Sequence, residues 1–88
     1  MIEKEFIIPN RLGLHARPAA LLVKVATRFK SEIYISKDEQ VVNGKSIMGV
    51  MTLAAEYQSK LIFRISGEDE EEAVLALEEL FERKFEED

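Results

Sequence analysis

Cysteine and tryptophan are absent from this chain, and histidine occurs once. Without thiols there is neither a disulfide framework nor a thiolate metal site, and no metal or other cofactor is expected. No second histidine or nucleophile elbow accompanies the lone imidazole, which argues against hydrolase chemistry. No apolar run approaches the length of a membrane span. Glu3, Lys4 and Glu5 stand where a secretory leader would carry its apolar core, so a cytoplasmic protein without membrane insertion is expected. Positive charge is in the minority: 12 Lys and Arg against 17 Asp and Glu give a net charge of −5. Nucleic-acid binding draws most of its affinity from phosphate neutralisation, and there is no basic sheet with aromatic platforms here, so no nucleic-acid partner is expected. Amides are scarce, two Asn and two Gln in a chain that is 33% charged, a balance found in heat-adapted proteins. Linkers, repeats and low-complexity tracts are missing as well. Residues 1–88 are therefore expected to form one small domain, close to the size at which a single core suffices, acting as a monomer.

What the chain does have is a concentrated segment around its one histidine, Gly13-Leu14-His15-Ala16-Arg17-Pro18-Ala19-Ala20. Pro18 suits the first turn of a helix, where its missing N–H removes a donor that would have no intrahelical partner. Ala19, Leu22, Val23, Ala26 and Phe29 follow at spacings of three and four, the apolar stripe of an amphipathic helix. Lys24, Arg28 and Lys30 lie toward its far end, where cations suit the dipole. This predicts a helix from about Ala16 to Phe29 with His15 just outside its first turn. A histidine there can be a plain surface or capping residue. It can equally be a nucleophile that accepts a phosphoryl or acyl group, with the open amides of the helix N-terminus and the Arg17 guanidinium holding the incoming charge.

The other elements follow from periodicity and turn residues. Ile2 to Ile8 alternates as a strand, closed by Pro9-Asn10. Glu32 to Ser36 alternates again, with Ile33 and Ile35 on one face and Tyr34 on the other. Lys37-Asp38-Glu39 is a polar turn into a short strand from Gln40 to Asn43. Lys60 to Ser66 is the last strand, with Leu61, Phe63 and Ile65 on one side. The acidic run Glu68-Asp69-Glu70-Glu71-Glu72 is expected to complement the dipole of a helix N-terminus. Ala73, Leu77, Leu80 and Phe81, with Phe85 four beyond, form the buried stripe of that helix. The acidic end after Phe85 is expected to fray. The order βαββαβα predicts an α/β (α+β) domain with an antiparallel sheet and its helices on one face.

Ser46 precedes a short helix, Ile47 to about Ala54, and serine is a preferred N-cap. Capping is compatible with modification, because phosphate at a helix N-terminus is electrostatically tolerated. The short helix carries more apolar side chains than it can bury. Ile47 and Met48 are expected to face outward and Val50 inward, giving an adaptable patch of the kind used to meet several partners.

The Gly13–Ala20 segment closely resembles the phosphorylation-site signature of the HPr family, the histidine-containing phosphocarriers of the bacterial phosphotransferase system. Val42-Asn43-Gly44-Lys45-Ser46-Ile47-Met48-Gly49-Val50-Met51 is similar to that family's regulatory-serine region, and the resemblance extends over nearly the whole chain. It implies an open-faced sandwich of four strands and three helices. It implies that His15 takes a phosphoryl group through Nδ1 from phosphorylated enzyme I and passes it to sugar-specific IIA proteins. Arg17 would pair with the phosphate oxygens, the amides of Ala16 and Arg17 would be the backbone donors, and Pro18 would shape the turn. The same resemblance makes Ser46 a target of a dedicated kinase/phosphorylase, with the phosphorylated form acting on a transcription regulator. It places partner binding at Ala20, Lys24, Thr27, Ile47, Met48, Gly49 and Met51. The result is a carrier, not a free-standing enzyme. The nitrogen-branch carrier NPr shares the histidine motif and is the alternative carrier reading. A regulatory binding protein working through phospho-Ser46 is the other alternative, but relatives of that kind replace the histidine. One departure concerns the turn after the short helix, where the family commonly has glycine and this chain reads Ala54-Ala55-Glu56-Tyr57-Gln58-Ser59. Gln58 must then accept a left-handed conformation, or the turn must differ. Arg11 and Leu12 are bulky neighbours of His15 that can influence which donor and acceptor fit.

Overall fold

Alternating apolar residues build the sheet. In the computed structural model, which describes residues 1–87, the strands β1 (Ile2–Ile7), β2 (Glu32–Lys37), β3 (Gln40–Asn43) and β4 (Lys60–Ser66) pair antiparallel in the order β1-β4-β2-β3. The register sets Phe6 opposite Leu61 and Ile35 opposite Phe63. Phe6, Ile33, Ile35, Leu61, Phe63 and Ile65 are all buried, while Tyr34 and Arg64 point to the open face. The helices α1 (Ala16–Ala26), α2 (Ile47–Thr52) and α3 (Glu70–Glu82) cover the other face, and a single turn, Lys84–Glu86, follows. This is the antiparallel sheet with helices on one face that the order of elements predicts, and the four-stranded open-faced sandwich that the resemblance implies.

The α1 stripe buries Ala19, Leu22, Val25 and Ala26, and the α3 stripe buries Ala73, Leu77, Leu80 and Phe81. Two strand ends shift by one residue, β1 stopping at Ile7 instead of Ile8 and β2 running to Lys37 instead of Ser36, and two helix ends move further. The first helix ends at Ala26, not Phe29, because its last turn tightens: the Arg28 amide donates to Val25 and the Phe29 amide to Ala26. The Lys30 and Ser31 amides then donate to Asp69, at 2.8 and 2.9 Å, which draws the chain out of the helix and into β2. The second helix ends at Thr52 instead of Ala54, since Ala54 turns left-handed with φ +49°. Gln58 does adopt the left-handed conformation that its position demands, with φ +70°.

The acidic run places Glu70, Glu71 and Glu72 in the first turn of α3, the dipole complement expected of it. Asp69 sits at the N-cap position of α3 without capping it. Its carboxylate instead accepts the Ser31 hydroxyl as well as the two amides, tying α3 to the α1–β2 connection. The Ser31 hydroxyl, followed by the Lys30 amide, holds the Asp69 carboxyl below the usual aspartate range.

The fraying expected after Phe85 falls partly on residue 88, which lies outside the described residues, and up to Glu87 the chain takes a defined path. Phe85 is fully buried and meets Phe81 edge-on at 4.8 Å, completing an aromatic cluster in which Phe81 stacks on Phe6 at 4.4 Å. To get there, Lys84, Phe85 and Glu86 all take positive φ of 54, 55 and 63°. Each such non-glycine residue costs roughly 1–2 kcal/mol. Burial of the Phe85 ring, about 1.5–3 kcal/mol, offsets part of that cost. The chain direction after this turn brings Glu87 back to the start of α1.

Candidate functional site at the start of the first helix

The loop that presents His15 is built by short-range hydrogen bonds. The Gly13 amide donates to the Asn10 carbonyl at 3.1 Å, and the fully buried Asn10 side chain returns a bond from Nδ2 to the Gly13 carbonyl at 2.8 Å. Leu14 is buried and its amide donates to the Ala55 carbonyl at 2.8 Å, anchoring the loop to the segment after α2. His15 follows in an extended conformation as the N-cap residue of α1, its carbonyl accepting the Ala19 amide at 2.9 Å.

His15 does not use its side chain as a cap. That leaves the amides of Ala16 and Arg17 without an acceptor among the described residues, while Pro18, buried in the same turn, has none to offer. Two open donors at the positive end of a helix make an anion-binding position. Arg17 is exposed and forms no ion pair among the described residues, so its guanidinium is free to join them. Arg11 is exposed on the loop before.

The imidazole is half-exposed, 39% accessible. Its Nε2 lies 3.0 Å from Glu87 Oε2, and because a carboxylate only accepts, the assigned network puts the proton on Nε2. Nδ1 has no protein hydrogen bond among the described residues. Glu87 Oε1 in turn accepts Asn10 Nδ2 at 2.8 Å. Neither Glu87 nor Asn10 was marked for function by the sequence: Asn10 reads as a strand-ending turn residue, and Glu87 lies 72 residues from His15 in an acidic tail. Beside the ring lies an open depression of about 330 Å³ walled by Leu12, Leu14, Met51, Ala54 and Glu56.

Ser46 caps α2 as expected, its Oγ accepting the Gly49 amide at 3.0 Å. Val50 is buried, while Ile47, Met48 and Met51 are exposed by 41, 75 and 43%, so the short helix turns most of its apolar surface to solvent. Ala20 and Lys24 on the adjoining helix α1 and Thr27 at its C-terminal cap are exposed, and Gly49 is half-buried under the Ser46 cap. Among the described residues no group of three or more His, Cys, Asp or Glu could hold a metal ion. Among the same residues no helix is long and apolar enough to cross a membrane.

A family model described as "PTS HPr component, phosphorylation site" matches residues 2–83, which include the whole His15 loop and α2. The chain belongs to the HPr family. It is 51% identical over 88 residues to the phosphocarrier protein HPr of Xylella fastidiosa, covering 100% of this chain and 99% of that one. The HPr-like protein Crh of Halalkalibacterium halodurans is 48% identical over 84 residues, 96% of this chain and 100% of the relative. A crystal structure of an HPr from Thermoanaerobacter tengcongensis superposes with a TM-score of 0.95 at 48% identity, covering 100% and 99% of the two chains. The four-stranded sheet with three helices on one face is thus the HPr fold. As a member of this family the chain is a phosphocarrier of the phosphotransferase system, phosphorylated and dephosphorylated stoichiometrically instead of turning over a substrate alone.

Proposed function

We propose that His15 is the phosphoryl-accepting residue, that phosphorylated enzyme I is the donor, and that sugar-specific IIA proteins are the acceptors, in the cytoplasm. The observation that carries this reading is the N-terminus of α1: a half-exposed imidazole stands at the N-cap without capping, over the unengaged amides of Ala16 and Arg17. Attack by Nδ1 on an activated phosphoryl group places the new charge over those two donors and within the reach of a long, unpaired arginine. Pro18 fixes the turn and withholds a third amide. The exposed residues Ala20, Lys24, Thr27, Ile47, Met48 and Met51, with Gly49 beneath them, supply a mixed apolar and basic surface for successive partners.

The test is incubation with phosphoenolpyruvate and enzyme I of the same organism, read by intact mass and phosphorus NMR. The expected result is a gain of one acid-labile phosphoryl group that is absent from a folded His15→Ala variant. An Arg17→Glu variant, which sets an anion beside the incoming phosphate, is expected to accept it roughly tenfold or more slowly. No gain from a self-phosphorylating enzyme I would favour nitrogen-branch partners or a role centred on Ser46. A regulatory role for phospho-Ser46, through a kinase/phosphorylase and a transcription regulator, is supported by the likeness to Crh and by the exposed helix that Ser46 caps. The intact His15 favours the carrier role beside it.

A further inference from the structure

We infer that Glu87 is a positioning residue of the phosphoryl cycle, holding the proton on His15 Nε2 so that Nδ1 alone makes and breaks the bond to phosphorus. The inference rests on His15 being the accepting residue. Three observations carry it. Glu87 Oε2 lies 3.0 Å from Nε2, on the opposite side of the ring from the nitrogen that has no protein partner. Its other oxygen is fixed at 2.8 Å by Nδ2 of Asn10, which is fully buried and also ties the loop carrying His15. The chain reaches this position through three consecutive left-handed residues anchored by the buried Phe85, a costly path that a loose tail would not take. The carboxylate is itself only 14% accessible.

The chemistry balances without moving a proton. The Nδ1 lone pair attacks phosphorus while the bond between phosphorus and the donor atom breaks, and that electron pair leaves with the donor. The His15 ring now carries phosphorus on Nδ1 and hydrogen on Nε2, and is cationic. Glu87 supplies the opposing charge and accepts the Nε2–H hydrogen bond throughout. On transfer to an acceptor, the Nδ1–phosphorus bond breaks and its pair returns to Nδ1, a good leaving group because Nε2 is still protonated. Losing the Nε2 proton from the phosphorylated ring would make the departing nitrogen anionic and the transfer slow. Glu87 acts through His15 as the orienting carboxylate does in a hydrolytic triad, fixing the tautomer without becoming protonated. Arg17, which forms no ion pair among the described residues, is left to the phosphate.

The experiment compares the full chain, Glu87→Ala and Glu87→Gln, each with ¹⁵N-labelled histidine, and a His15→Ala control, which has no histidine left to label, phosphorylated by enzyme I and phosphoenolpyruvate at one fixed neutral pH. In Glu87→Ala we expect the maximal rate of phosphorylation to fall about tenfold with KM for enzyme I unchanged. Glu87→Gln, which can still accept from Nε2–H but lacks the charge, should fall between. The phosphorylated parent should show a protonated Nε2 in its ¹⁵N spectrum, and Glu87→Ala a lowered Nε2–H population. Unchanged or faster phosphorylation of Glu87→Ala overturns the inference, as does a changed KM with intact maximal rate, which would make Glu87 a docking residue. An unaltered Nε2–H population overturns it too. If the parent takes no phosphate, or His15→Ala takes it equally well, the His15 reading itself fails, a result distinct from a parent and Glu87→Ala phosphorylated alike on His15.

Discussion

Gly13 lies so close to Ala55 that a Cβ built on it would stand 2.6 Å from the Ala55 carbonyl oxygen. That oxygen accepts the Leu14 amide, so the close approach and the hydrogen bond belong to one arrangement that sets the loop height of His15. Gly13 also holds φ +74°, where a side chain is strained even in open space.

Gly13→Ala is therefore expected to lose at least about 1–2 kcal/mol from the left-handed conformation alone. In a domain of this size that lowers the unfolding midpoint by about 5–10 °C. Because the obstructing atoms are backbone, the loop must also move, and phosphorylation of His15 should slow with the fold intact. Calorimetry together with the enzyme I assay checks both. An unchanged midpoint would show that the loop has room the geometry denies it.

Asp69 gives a pH dependence of defined sign. Its folded value lies below the ordinary aspartate value of about 3.9, because the Ser31 hydroxyl and the Lys30 amide bond the charged form. A carboxyl depressed on folding stabilises the fold above its unfolded value, and loses that contribution as pH falls through the lowered one. Asp69→Asn should thus be less stable than the parent at neutral pH, with the gap narrowing below about pH 4. Urea unfolding of both proteins between pH 2 and pH 7 reads it directly. A gap independent of pH would assign the loss to packing, and Ser31→Ala should shrink the same pH-dependent component.

Where sequence and structure agree, the agreement comes from local periodicity. Leu61, Phe63 and Ile65 alternate inward, and β3 and β4 have the bounds that their alternation and flanking turns imply. The α3 stripe reads through to Phe85 because spacing of three and four survives even across the end of the helix. His15, Arg17 and Pro18 were legible as one helix start since capping chemistry is written in adjacent residues. What was not legible depends on partners remote in the chain. Helix α1 stops early on account of Asp69, 38 residues beyond Ser31. The path of the tail could not be read: Lys84, Phe85 and Glu86 have no glycine to announce a left-handed turn, and nothing in an acidic run points to an imidazole across the fold. Composition argued for fraying there, whereas the buried Phe85 ring sets the turn and Asn10 holds Glu87 beyond it.

Ser46 separates capping from charge, and two substitutions distinguish them. Ser46→Ala removes the acceptor of the Gly49 amide and should cost about 1 kcal/mol, with phosphoryl exchange at His15 retained. Ser46→Asp keeps a good N-cap and a charge suited to the helix N-terminus, so its stability should stay close to that of the parent. It nevertheless places an anion beside exposed Ile47 and Met48, on the surface proposed for partners, where it would repel a partner of like charge. Exchange with enzyme I should then weaken roughly tenfold, as a rise in KM instead of a fall in maximal rate, and the effect should shrink with added salt. Thermal unfolding and steady-state kinetics on the same two variants check the argument. Equal KM values for Ser46→Asp and the parent would leave Ser46 as a cap alone, and a destabilised Ser46→Asp would move the cause from the partner surface into the helix.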